Sequence, residues 1–260
     1  MSAEGDGFMT FGGHLEVLRR MLIRIIAVIT VIALVVFCFK DETFALLLAP
    51  SKSDFITYRW IENACNYFGI DFHFEAYAVK LIAVELSSQF MTHVTTSFYL
   101  ALLAASPYIL YELFRFVSPA LYENERRYSA RTIVTIYVLF VIGVLMTYFV
   151  LFPISFRFLG TYQVSDAVVN NITLDSYIGT LTTLTLLMAV IFQLPVISFF
   201  LAKMGIITSS MLAKYRRHAF ILIMIVAAII TPPDIMTLIL VTVPMYMLYE
   251  MSILIIKKVE

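Results

Sequence analysis

Few side chains in this 260-residue sequence could take part in covalent chemistry, and those few are scattered. The four histidines, His14, His73, His93 and His218, lie far apart, and no HExxH zinc signature joins any of them. A GxSxG nucleophile elbow and a GxxxxGK phosphate loop are both absent. His93 and Ser97 stand four apart and would share a helical face, yet no nearby carboxylate would orient the imidazole, so a local hydrogen bond is the expected use. Cys38 and Cys65 are too few for a disulfide framework or a zinc site; they could pair with each other, though two ordinary thiols is the preferred reading. The residues predict no catalytic group, no metal and no cofactor.

What remains is recognition chemistry. Glu16, Glu123 and Glu125 sit among arginines: Glu16 beside Arg19 and Arg20, Glu125 beside Arg126 and Arg127. One reading is a set of local ion pairs. The other is a carboxylate pocket for a cationic partner, because a guanidinium fork bonds a carboxylate through two parallel N–H donors. Within apolar stretches, Glu112 and Arg115 are three apart and can pair on one helical face. Gln193 does not titrate. Asp234 follows the Thr231-Pro232-Pro233 turn, where it would cap the next helix or lie at a wet, thinned part of a bilayer. A proton- or ion-coupled transporter would need more ionisable groups at mid-membrane than these.

The elements that must position such residues follow from composition. Hydrophobic residues make up 61% and charged residues 14%, against roughly 45–50% and about 25% in an ordinary globular chain. One core of this size cannot bury that excess, so lipid is the solvent for much of the chain. Equal numbers of basic and acidic residues, 18 of each, argue against nucleic acid as a partner. The predicted fold class is all-α, a polytopic membrane protein with six transmembrane helices.

An amino-terminal tail and interfacial helix occupy residues 1–24, with Leu15, Leu18 and Leu22 spaced as one face. A single six-helix domain spans 25–256, and 257–260 form a short tail. Its apolar runs are Ile25–Phe39, His93–Val117, Ile133–Phe152 ending at Pro153, Ile178–Leu201, His218–Thr231 and Ile235–Ile256. The connection at about 40–91 is too long for a bare loop, and short surface helices are expected there. Thirteen of the eighteen Lys and Arg residues fall on the side holding both termini, which predicts termini inside and the long connection outside. His218–Thr231 would rise only about 21 Å against a hydrocarbon core of about 30 Å, so the last two spans are expected to be short or to span loosely.

Several blocks of the sequence resemble a known family. His14-Leu15-Glu16-Val17-Leu18-Arg19-Arg20 is similar to the amino-terminal motif of TatC, the multi-span receptor of the twin-arginine protein translocase. Phe116-Val117-Ser118-Pro119-Ala120-Leu121-Tyr122-Glu123-Asn124-Glu125-Arg126-Arg127 is similar to its first cytoplasmic loop. Further blocks match in order: Tyr148–Pro153, Gln193-Leu194-Pro195, Thr231-Pro232-Pro233-Asp234 and Pro244–Glu250.

The resemblance implies binding of signal peptides with paired arginines and export of folded proteins by the proton-motive force. It also implies assembly with small single-span TatA/TatB-type subunits, with a homo-oligomer compatible, in a bacterial inner membrane. The family's signal-peptide site falls on Glu125, Phe116 and Arg19, with Glu16 and Glu123 as neighbouring candidates. Pro50, Asp234 and Gln193 match positions tied to transport or to partner helices. The family commonly has a glutamate two residues before the arginine, where this chain has Val17, and some members have glutamate where it has Gln193. Composition alone equally permits a secondary transporter of a small solute.

Overall fold

The computed structural model describes residues 11–71, 73–74, 79–117, 129–165 and 170–258. Its helices are α1 (Phe11–Cys38), α2 (Lys40–Leu48), α3 (Ile56–Tyr67), α4 (Ser88–Val117), α5 (Ser129–Met146), α6 (Phe152–Thr161), α7 (Leu174–Ile191), α8 (Leu194–Lys203), α9 (Ser209–Lys214), α10 (Arg216–Ile230) and α11 (Ile235–Lys257). A 3-10 turn at Ala49–Ser51 follows α2, and a π-helical turn at Thr147–Leu151 joins α5 to α6. Five stretches among the described residues are long and apolar enough to cross a bilayer: 15–38, 88–116, 132–161, 174–203 and 235–257. The chain is an all-α polytopic membrane protein. It divides into two compact units, one made of 1–38 with 97–137 and the other of 39–96 with 138–260.

In the first unit, α1 packs on α4 through a stripe one side chain wide. Met21, Ile25 and Ile29, at i, i+4 and i+8, are buried against Ala101 and Ala105, and Leu18 and Ile32 extend the stripe. The two alanines let the backbones approach closely, the packing device of helices in lipid. The expected leucine face is rotated: Leu18 packs, whereas Leu15 and Leu22 are 48% and 46% exposed. Lipid solvates leucine as readily as a core does, so apolar spacing does not mark the buried side of such a helix.

The second unit has its core where Leu151, Phe152 and Phe156 meet Tyr177, Leu181, Leu184 and Met188 of α7, with Val241, Met245 and Leu248 of α11 also buried. Tyr177 stands edge-on to both phenylalanines, at 5.0 and 4.9 Å. α8 and α10 each pack along α11. A Cβ on Gly143 would stand 2.9 Å from the Ala189 Cα, so this crossing of α5 and α7 requires glycine.

The long connection contains α2 and α3, the expected short helices. It also contains a two-residue strand, β1 (Leu81–Ile82), paired in parallel with β2 (Ile172–Thr173) in the register Leu81 to Ile172. Two residues carry no detectable period-two pattern, so this pairing had no sequence signal. Cys38 and Cys65 are free thiols.

Three span boundaries differ from expectation. The helix begun at α5 does not stop at Pro153: the π turn widens the backbone, Pro153 takes a first-turn position where no N–H is needed, and α6 continues to Thr161. The fourth run breaks at Phe192 and Gln193 between α7 and α8. Shortness is confined to α10, 15 residues or about 22 Å; α11 has 23 residues, about 34 Å, because Pro244 is accommodated inside it.

Candidate functional site

The first unit gathers three of the predicted signal-peptide residues. Glu16 lies in the opening turns of α1, and its Oε1 accepts from Arg19 Nη2 and Arg20 Nε, both at 2.9 Å. The i+3 and i+4 spacing makes this pairing local. Both arginines are largely exposed. One oxygen thus serves two cations, and no described residue donates to the other. Val17 is also exposed, about 100° further round the helix. Phe116 packs half-buried against the stripe centred on Met21 and Ile25. Glu123 and Glu125 lie outside the described residues.

An unpredicted pair lies beside Phe116. Arg24 Nη2 donates to Glu112 Oε2 at 2.9 Å, and the Tyr108 hydroxyl donates to Glu112 Oε1 at 3.2 Å. The Glu112 side chain is 6% exposed and that of Arg24 48%. The expected Glu112–Arg115 pairing is therefore replaced: Glu112 turns towards α1, while Arg115 stays exposed. A carboxylate this deep needs a partner that follows it inward, and Arg24 sits on the facing helix. Eighty-eight residues separate the two in sequence. In sequence Arg24 stands just before the first apolar run and Glu112 inside the second, with Arg115 as its nearer basic residue, so nothing joined the two.

In the second unit, Gln193 ends α7. Its backbone N–H bonds back three residues to Val190 O at 2.9 Å, which leaves Ala189 O to accept the side-chain Nε2 at 3.3 Å. Pro195, without an N–H, opens α8. The buried Gln193 Oε1 has no hydrogen-bond partner among the described residues. Asp234 caps α11, its Oδ1 accepting from the Thr237 N–H at 2.6 Å. Asp234 Oδ2 and Thr237 Oγ1 are buried without partners among the described residues. Nearby Pro232 lines a cavity of about 290 Å³ with Ser155, Asn170, Tyr177 and Thr180. Pro50 is buried in the 3-10 turn, which packs on α6.

Two further anchors escaped the sequence reading. Asp175, in the first turn of α7, accepts hydrogen bonds from the Ser88 and Thr92 hydroxyls of α4. Glu250 of α11 accepts a two-pronged bond from Arg216 of α10, at 2.9 and 3.0 Å, and a third from Tyr246 at 3.0 Å. Each joins residues distant in sequence: Asp175 lies in none of the family blocks, and Glu250, which closes the block Pro244–Glu250, carries no sequence sign of its partner Arg216.

Several membrane-length helices, buried proline and amide breaks, and surface carboxylates held among arginines define a multi-span helical membrane protein built for recognition. The family model for the Sec-independent protein translocase protein TatC matches residues 13–244. The chain belongs to the TatC family. It is 35% identical to the Sec-independent protein translocase protein TatC of Blattabacterium sp. subsp. Periplaneta americana, over 94% of each chain. Against the TatC of Carboxydothermus hydrogenoformans it is 31% identical, over 98% of this chain and 96% of that one. Two crystal structures of the twin arginine translocase receptor TatC are similar in fold. One has a TM-score of 0.74 and 28% identity, with 94% of this chain and 98% of that one covered. The other, in the detergent DDM, has a TM-score of 0.76 and 27% identity, with 94% and 99% covered. These likenesses are to protein translocase components and give no support to a small-solute transporter.

Proposed function

We propose that this protein is the receptor and core of a translocase that binds signal peptides with paired arginines and exports folded proteins using the proton-motive force. The observation that carries the reading is the match along nearly the whole chain to the translocase family, with Arg19, Glu16 and Phe116 held in one unit around a single helix pair. The chemistry is recognition rather than catalysis. Glu125, together with Glu123 and Glu16, would receive the guanidinium groups, and Phe116 would offer an apolar wall to the adjoining peptide. Arg19 and Arg20 would hold Glu16 oriented until a peptide arginine takes over its free oxygen.

The same reading places the chain in a bacterial inner membrane with six crossings, α10 being the short fifth. The termini would be inside and the connection at about 40–91 outside. Residues 1–24 would form the inner tail and interfacial helix, 25–256 the membrane domain and 257–260 the closing tail. Small single-span TatA/TatB-type subunits would pack on the apolar faces, and the Gln193 amide, whose buried Oε1 has no partner among the described residues, would bond a partner helix once α7 and α8 part to admit it. Pro50 and Asp234 would serve transport through the turns they hold.

Photo-crosslinkers placed on either side of Glu125 test the reading. They should capture a twin-arginine peptide and much less of its twin-lysine version. Equal capture of both, or of neither, would refute it, as would movement of a small solute by the chain alone in liposomes.

A further inference from the structure

Arg24 is an arginine inside a lipid-facing helix. Val31, two turns further along the same side, is exposed at 62%, so no described element of the fold covers this side of α1. Its guanidinium carries five N–H donors in a planar fork. One of them reaches the buried Glu112, and the others have no partner among the described residues. Glu112, itself fixed by Tyr108, therefore acts as an anchor that holds the fork at a set angle with its outer edge open.

The surroundings are basic. Arg20 lies one turn before Arg24 on the same face of α1, and Arg115 lies three residues beyond Glu112 on α4. Arg24 and Arg115 are both close enough to the Tyr108 hydroxyl to act on it electrostatically. Among the described side chains, Arg20, Arg24 and Arg115 thus surround Glu112, while Glu16 is shared by Arg19 and Arg20. A phosphate reaching Arg24 would meet guanidinium N–H donors already held in place.

We propose that Arg24, held by Glu112 and flanked by Arg20 and Arg115, is a binding site for the phosphate of an anionic phospholipid between the middle of α1 and the C-terminal end of α4. Basic pockets between membrane helices take such headgroups, and each arginine near the surface contributes about fivefold in affinity. A lipid chain would lie along the exposed Val31 side of α1. The site depends on this part of the helix pair meeting a bilayer surface, not on signal-peptide binding, so either can fail without the other.

The test uses the full chain purified in neutral detergent. It is titrated with phosphatidylglycerol, with phosphatidylcholine and with inorganic phosphate as competitor, and bound lipid is counted by native mass spectrometry. The parent should prefer phosphatidylglycerol about fivefold or more. Arg24→Gln should lose that preference, while Arg217→Gln, an equal loss of charge in the other unit, should keep it. Because Arg24→Gln leaves Glu112 buried without its cation, the double variant Arg24→Gln/Glu112→Gln, neutral and hydrogen-bonded, serves as the folded control and should also lack the preference. A preference that survives in the double variant overturns the proposal. So does equal loss in Arg217→Gln, and so does displacement of the lipid by inorganic phosphate at equal concentration.

Discussion

The Thr57 hydroxyl donates to the carbonyl of Phe149, four residues before Pro153, whose ring nitrogen has no hydrogen to offer that carbonyl. A side chain from the long connection thus completes the backbone of the helix it lies against. The next residue repeats the logic: the Tyr58 hydroxyl donates to Pro153 O at 2.8 Å. Both hydroxyls are buried, so neither carbonyl can turn to water.

Thr57→Val should therefore destabilise the protein by about 1–3 kcal/mol, the cost of leaving a buried acceptor unserved, whereas Thr57→Ser should be nearly neutral. In a Pro153→Ala background residue 153 regains its N–H, and the penalty of Thr57→Val should shrink. Unfolding midpoints of the four proteins in detergent read the coupling. An unchanged penalty would mean that Thr57 acts through packing alone.

For orientation in the membrane, a cysteine-free chain (Cys38→Ser, Cys65→Ser) provides the background. A membrane-impermeant thiol reagent added to intact cells should label Asp54→Cys and miss Lys258→Cys until the cells are opened. Labelling in the opposite order would invert the topology proposed from the basic residues.

Gln193→Leu removes both the bond to Ala189 and the open acceptor. If a partner helix uses that acceptor, co-purification of the small subunits should weaken about three- to thirtyfold, matching about 0.6–2 kcal/mol for an intramembrane amide bond. The pH dependence of transport should stay that of the parent, since an amide does not titrate. Normal co-purification would confine Gln193 to closing α7.

Asp234→Leu should lose the cap on α11, at a cost of about 0.5–2 kcal/mol, while Asp234→Asn keeps an accepting oxygen and most of that stability. Thermal unfolding separates the two. Should transport fail equally in both while only the leucine variant is destabilised, the carboxylate charge, and not the cap, is what transport needs.

Glu125→Gln keeps size and deletes charge. As the receiver of a guanidinium it should, when neutralised, weaken twin-arginine peptide binding about ten- to a hundredfold, for a charge-assisted bond of about 1.5–3 kcal/mol, and erase discrimination against twin lysine. Binding titrations at low and moderate salt decide this. Retained discrimination would turn attention to Glu16 and Glu123.

Long apolar runs identified the spans because solvation by lipid depends on composition, and composition is local. Facing and pairing are not local. Leu15 and Leu22 look like a packing face, yet both are exposed, since a chain suited to lipid lacks the contrast that makes apolar spacing informative in water. Pro153 looks like a stop because its effect was judged without Thr57, 96 positions earlier, and without the π turn. Glu16 with Arg19 and Arg20 was readable from i+3 and i+4 spacing alone, whereas Arg24 with Glu112 required knowing which two helices touch. The motif residues Gln193 and Asp234 were found as residues. Their unpartnered oxygens were visible only once the turns around them had a shape.

Leu81 pairs with Ile172, Ser88 and Thr92 bond Asp175, and Thr57 and Tyr58 bond Phe149 and Pro153. Every one of these partners is made some 80 to 95 residues after the segment that needs it. At a synthesis rate of about 5–20 residues per second, the long connection must wait roughly 5–20 s, with its strand edge and hydroxyls unanswered, before the rest of its unit is made. For that interval it is a client for whatever chaperones meet the unfinished chain, and a ribosome stall between residues 100 and 150 would prolong the state most open to proteolysis.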